Sequence, residues 1–556
     1  MNLRWVLLIL VSYAACSGLP WSVVRPIEVG EIQIDPSTPH SIGISLPVLN
    51  GDEDFDASVL VGYRKIDASV WNEALPLQRV RTDTLSRAVP TPFPIGEQFA
   101  GSIFDLSPDS AYDIRLTIHD PDGGSTTRAA RTTTRALPPD GPRSPRIVDV
   151  ATADALASAL RRANPGDVIR LAEGRYPGPF HVDRSGTDAD PIVVKGVDRK
   201  ATIIESPGQE YGVRITGSHV HLEDLTIQSS AWGVAVAHAA GVVIRGTRIK
   251  DVSYGINARG GGNRDLYICD NVLEGHGVRW PDTSNRTWDF EGIVVTGTGH
   301  VVCHNTLAGF GDALGLSQPI EMPNRAIDFY GNDVLWGGDD GIELDYSERN
   351  VRAFRNRVGN VAMGISFQPV WGGPVYAVRN LIYNTAVAPY KLNQEPSGLF
   401  ILHNTSIRTG WAWLQYGAYA SNISFHNNIT IGTKPVHLMP FLQMAGIDYN
   451  GWAPDGEFKF DYAWRNFSEL SRQSPYERHG RLLTGPVFVS KIVAPPNFDL
   501  FMPRPTPVLH PASNAVDAGR RLPNINDDYT GEAPDLGALE RGRDIPTYGA
   551  RWQGGR

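Results

Sequence analysis

The sequence predicts an all-β chain in two parts, an N-terminal antiparallel β-sandwich followed by a long parallel β-solenoid that opens with a short capping helix. Three observations carry that prediction. An asparagine returns at intervals of about 24 residues, at Asn305, Asn332, Asn356, Asn380, Asn404 and Asn428, and Thr247 and Asn271 continue the series toward the N-terminus. Residues 25–135 show no such repeat but alternate apolar and polar residues in short runs, as in SIGISLPVL and AYDIRLTIHD. The 556-residue chain also carries 57 glycines and 41 prolines, the turn formers that many short strands require.

The elements follow in order. Residues 1–18 read as an export signal, with Arg4, an apolar stretch from Trp5 to Val11, and small residues around Ala14. Tyr13-Ala14-Ala15-Cys16 resembles a bacterial lipobox, which implies lipidation of Cys16 and anchoring at the outer membrane; ordinary signal cleavage and secretion or periplasmic release is the alternative. In residues 25–135 the stretch LSPDSAYDIRLTI, with Leu106, Pro108 and Tyr112, resembles the tyrosine corner of fibronectin type III domains. Val61, Tyr63 and Trp71 fall where that family has core residues, and a spacer role is expected. A proline-rich linker, 136–145, leads into the solenoid, 146–435, whose first turn is expected to be covered by a helix over about 153–163. Residues 436–556, rich in Gly, Pro and Asp, are expected to pack along the solenoid as loops and short strands. Cys269 and Cys303 each lie two residues before a ladder position, so they stack on adjacent coils; they read as two small buried side chains, with a disulfide open to them.

A formal charge of −9 without a run of Lys or Arg excludes nucleic acid as the main partner. The chain is expected to act as a monomer. His276, His300, His304 and His403 have no metal-ligand spacing and read as turn or stack residues.

Alignment of the coils locates the chemistry. The position before the small residue of the second strand reads Trp232, Tyr254, Glu291, Asp312, Asp340, Met363 and Ala388. Three carboxylates therefore stack in consecutive coils at strand spacing, with Asp339 beside them. Like charges this close raise one another's pKa unless a cation intervenes, and a hard divalent cation is the simple remedy. Glu343 lies three positions beyond Asp340, and Lys391 occupies the equivalent outward site two coils later. Acids and a lysine on one groove suit β-elimination of a uronic-acid polymer, with a lysine depressed toward neutrality as base.

DDGIELD (339–345) and PYKL (389–392) resemble the calcium and base motifs of polysaccharide lyase family nine, calcium-dependent right-handed parallel β-helices that act on pectate and related uronides. The resemblance implies Ca2+ held by Asp312, Asp339, Asp340 and Glu343, with Lys391 as base. The fourth acid is Glu here, glycine-rich flanks are missing, and an additional coil precedes the lysine.

The insertion GVRWPDTSNRTWDFEG lengthens the coil that ends in Glu291. Arg279, Trp280, Arg286 and Trp288 are candidates for a substrate-binding wall, together with Glu291. Two other functions fit the same residues. A glycoside hydrolase would use Asp312 with Asp339 or Asp340 as paired acids, and a non-catalytic carbohydrate-binding scaffold would use the groove alone.

Overall fold

The computed structural model describes residues 25–284, 288–414, 419–438, 442–459 and 462–552. The export signal with Cys16, and Arg286 of the insertion, lie outside the described residues. The chain forms a β-solenoid of about 12 turns preceded by an antiparallel sandwich-like sheet. One solenoid face is a 13-stranded parallel sheet, with strands in chain order from Arg146–Val150 to Leu442–Asp448. The other two faces run into each other around a corner as a 20-stranded sheet. The third face, which carries the site, includes Tyr211–Ile215, Trp232–Val236, Tyr254–Ala258, Glu291–Val295, Asp312–Leu316 and Asp340–Glu343.

Stacking of like on like makes the core. On the third face, Val213, Val234, Ile256, Ile293, Leu314, Ile342, Ile365 and Tyr390 are register partners from coil to coil, and all are buried. A column of small residues turns the corner before them. A Cβ on Gly341 would stand 2.1 Å from Val358 Cγ1, and one on Gly292 2.7 Å from Leu307 Cδ2, so only the smallest side chains let the chain bend there. This corner also corrects a simple alternation rule. Asp340 and Glu343 are three residues apart yet share the outer face, because Gly341 and Ile342 both turn inward at the bend.

The asparagine ladder is continuous. Each Oδ1 accepts both the backbone N–H and the side-chain amide of the asparagine one coil earlier, at 2.8 to 3.0 Å, from Asn271 to Asn450. Glu477 ends it, accepting from Asn450 N (3.1 Å), Asn450 Nδ2 (2.8 Å) and Trp452 Nε1 (3.0 Å). The left-handed backbone sits one residue before each ladder position, at Asp270, His304, Gly331, Arg355, Arg379, His403, Asn427 and Tyr449. The ladder asparagines serve as inward hydrogen-bonding rungs and leave the turn to their neighbours.

Both ends of the apolar stack are covered. The helix Ala153–Arg161, capped by Thr152 Oγ1 at 3.2 Å from Ala155 N, buries Leu156 and Leu160 on the first coil. At the other end Trp452, Phe458, Phe467 and Leu470 close the core, the last two from a helix Phe467–Gln473. Leu483, Phe488, Met502, Leu509 and Leu536 pack against Leu381, Tyr383, Ile407 and Ile429 along the second face. Cys269 and Cys303 are register partners with Cα atoms 4.5 Å apart and form a disulfide, so the reading as two unbonded thiols is corrected.

The N-terminal sheet is held against the solenoid and is no free spacer. Arg352, fully buried, pairs with Asp328 and donates to Ser102 Oγ at 3.0 Å. Arg349 reaches Asp35 at 2.8 Å, and Asn350 Nδ2 donates to Asp35 at 2.7 Å. Buried charges of this kind are tolerable only when paired, which ties the relative position of the two parts to side-chain geometry. Tyr112 Oη accepts from Ser107 N at 2.9 Å, a local side-chain-to-backbone corner. Trp71 is not a core residue. It lies half-buried between the guanidinium groups of Arg64 and Arg115, 4.7 and 4.4 Å from the ring centroid.

Candidate active site

The registers of the third face bring the predicted residues together. Glu291 pairs with Asp312; Leu314 with Ile342 and Gly315 with Glu343 bring Asp340 beside Asp312. Glu343 pairs with Ser366, and Ser366 with Lys391. Asp312 Oδ1 accepts the backbone N–H of Asp340 at 2.9 Å. Ligand oxygens of Asp312, Asp340 and Glu343 all lie within 4.8 Å of one another. Glu343 folds over Gly315, where a Cβ would stand 3.1 Å from its Oε2, so this glycine leaves the space in which the cluster forms. Asp339 lies next along the chain but outside that group of three.

Lys391, 8% exposed, places Nζ 2.8 Å from Asp340 Oδ2. Asp340 Oδ1 is buried and meets no N–H or hydroxyl donor, leaving the Glu343 carboxyl to share a proton with Asp340. Asp345, absent from the sequence-based set, is also part of the site. It accepts from Ser366 Oγ and from Gln368 N, both at 2.7 Å, and acts electrostatically on Lys391 and Asp340. Its outward parity with Glu343, two residues earlier, is the signal that could have found it.

The electrostatics follow from five carboxyl groups around one ammonium. Burial, then Asp340 and Asp339, push Asp312 well above the ordinary carboxylate range, and burial and Asp312 do the same to Glu343. Asp339 and Asp345 rise to about 7, both mainly through burial. Burial alone would lower Lys391, but Asp340 and Asp345 outweigh it and hold the ammonium above the ordinary lysine range. The expected depression of this lysine is therefore corrected: as it stands, it is the counter-ion of an over-charged acid cluster. Two like charges about 4.8 Å apart repel by about 3.5 kcal/mol at an effective dielectric of about 20, so one lysine cannot balance the group. Protons or a hard cation must, and three convergent oxygens, with Asp340 Oδ1 meeting no N–H or hydroxyl donor, fit a cation.

The remaining candidates are placed less closely. Glu291 forms an ion pair with Arg259, whose guanidinium lies 5.1 Å from the Tyr254 ring centroid. Trp280 packs against Phe498 and Phe501, at 4.6 and 5.7 Å between centroids, so it is held by the C-terminal region. Arg279 is exposed and Trp288 is 52% exposed. His403 accepts from the amides of Asn427 and Asn526, and burial keeps it neutral, as a stack residue.

No family model and no curated protein matches this sequence. Among solved structures, an alginate lyase from Paenibacillus sp. str. FPU-7 is 18% identical over 54% of this chain and 95% of its own, with a TM-score of 0.31. The pectate lyase Pel9A is 17% identical over 72% of this chain and 97% of its own, with a TM-score of 0.40. A hyperthermoactive exopolygalacturonase from Thermotoga maritima is 11% identical over 59% and 95%, with a TM-score of 0.33.

Proposed function

We propose that the protein cleaves an acidic, uronic-acid-containing polysaccharide by β-elimination, with Lys391 as the base. The observation that carries this reading is the Lys391–Asp340 contact at the centre of a carboxylate cluster on one outer face. Asp312, Asp340 and Glu343 would hold Ca2+, which would neutralise the substrate carboxylate and acidify the proton on the adjacent carbon. Lys391 Nζ, once neutral, takes that proton; the bond from the neighbouring carbon to the glycosidic oxygen breaks, a carbon–carbon double bond forms, and the departing oxygen takes a proton from solvent water. To act so, Lys391 must give up its pairing with Asp340; a cation on Asp340 would offset the largest of the charges that hold the amine protonated and leave burial, which lowers it, against Asp345 and Asp339. Asp345, fixed by Ser366 and Gln368, is a remaining negative charge near the amine. A hydrolase would leave Lys391 and Glu343 without a role. The disulfide supports export to an oxidising compartment.

The test is a panel of uronides incubated with the full chain, with ultraviolet absorbance of unsaturated uronyl ends and total reducing ends both recorded. Elimination yields the two together. Reducing ends without unsaturation would replace the lyase by the hydrolase, and neither product would favour a binding scaffold.

A further inference from the structure

Tyr211, Trp232 and Tyr254 occupy, in successive coils, the column that continues as Glu291, Asp312 and Asp340. The adjacent column begins Arg214, Ala235, Asn257 and leads on to Glu343 and Lys391. One outer surface therefore joins an aromatic stretch to the acid cluster. Ala235 is the short side chain between Arg214 and Asn257, and a cavity of about 290 Å³ opens over it, flanked by Tyr211, Trp232, Arg214 and Arg259. The rings are positioned by edge-on contacts: Trp232 lies 5.9 Å from Tyr254, and Tyr211 lies 5.2 Å from His181 and hydrogen-bonds to it. Arg259 is committed to Glu291, whereas Arg214 is exposed and has no ion-pair partner among the described residues. Glu210, the carboxylate at the cavity, faces solvent.

An aromatic face beside a guanidinium that lies over Tyr211, 6.0 Å from its ring centroid, but has no carboxylate partner among the described residues, with a small residue as floor, is suited to a pyranose ring that carries a carboxylate. We propose that this cavity is a distal subsite that binds an acidic sugar residue of the substrate chain, stacked on Trp232 with its carboxylate toward Arg214. It lies four coils, or about 19 Å, from Asp340, so only a chain several residues long can fill it and the acid cluster together. The inference rests on the proposed polyuronate substrate. It adds that substrate length is sensed toward the N-terminal coils.

The experiment titrates uronide oligomers of increasing length into the full-length Lys391→Ala protein, in which turnover is blocked, by calorimetry and tryptophan fluorescence. Long oligomers should bind at least about tenfold more tightly than trimers, and Trp232→Ala should bring that ratio close to one. Arg214→Gln, at an exposed position that leaves folding undisturbed, should cut the ratio and weaken its salt dependence. A length ratio unchanged in both variants would overturn the subsite, even if elimination by the wild type is established. Trp232-dependent length sensing in a protein that yields no unsaturated product would keep the subsite and overturn the lyase reading. Length sensing with neutral oligosaccharides alone would overturn the acidic ligand.

Discussion

Lys391 Nζ stands 2.8 Å from Asp340 Oδ2, while Asp340 Oδ1 is buried without an N–H or hydroxyl donor. This contact makes the lysine half of an ion pair inside a cluster with a surplus of acids. Under the proposed mechanism the site without a cation is thereby held in a form that cannot abstract a proton, and cation binding would weaken that hold.

Cation affinity should rise with pH. Without the ion, Asp312 and Glu343 sit well above the carboxylate range, and Asp339 and Asp345 at about 7, so protons must leave as the cation binds. Calorimetry at pH 6 and pH 8 in buffers of different ionisation enthalpy should show tighter Ca2+ binding at pH 8, with proton release. Equal affinity at both values would contradict the assignment.

The same groups set the stability of the metal-free protein. The folded pKa values of Asp339 and Asp345 lie above the unfolded values near 4, so their contribution is complete below about pH 4 and is lost as pH rises through about 7. In chelator, the melting temperature should fall between pH 5 and pH 8. Calcium should restore it at the upper end.

Lys391→Arg should keep the charge on Asp340 and the metal-free stability, yet lose at least about a hundredfold in turnover, because a guanidinium stays protonated. Lys391→Ala removes the partner of a buried carboxylate, and in chelator should cost up to about 3 kcal/mol. Denaturant melts with and without calcium separate the two effects.

Glu477→Ala should strip the end of the ladder of its acceptor, leaving Asn450 N, Asn450 Nδ2 and Trp452 Nε1 without it. A loss of about 2 to 4 kcal/mol is expected, read by denaturant unfolding, with cation affinity unaffected. A neutral result would show that the rung does not depend on Glu477.

Much of the architecture was legible because a solenoid repeats its own evidence. The asparagine period gave the coil length, and with it the register that stacks Glu291, Asp312 and Asp340. What stayed hidden depends on where single side chains and single dihedrals go. The period could not show that the left-handed residue precedes each ladder asparagine, since both positions recur together. Glu343 folding over Gly315, Asp345 clamped by Ser366, and the lysine drawn onto Asp340 arise between coils, where linear spacing is silent. Trp71 looked like core because size and position cannot distinguish burial from a place between two arginines. The disulfide required only that Cys269 and Cys303 stack, but stacking alone does not decide whether the thiols bond.

The most direct test of the proposed lyase centre compares wild type and Lys391→Ala on a uronide substrate in saturating calcium, with bound calcium quantified in each. The account predicts that wild type forms unsaturated uronyl ends and stops in chelator, and that Lys391→Ala retains its calcium but loses nearly all product. Wild-type turnover in the Lys391→Ala protein, or products with reducing ends and no unsaturation, would contradict it.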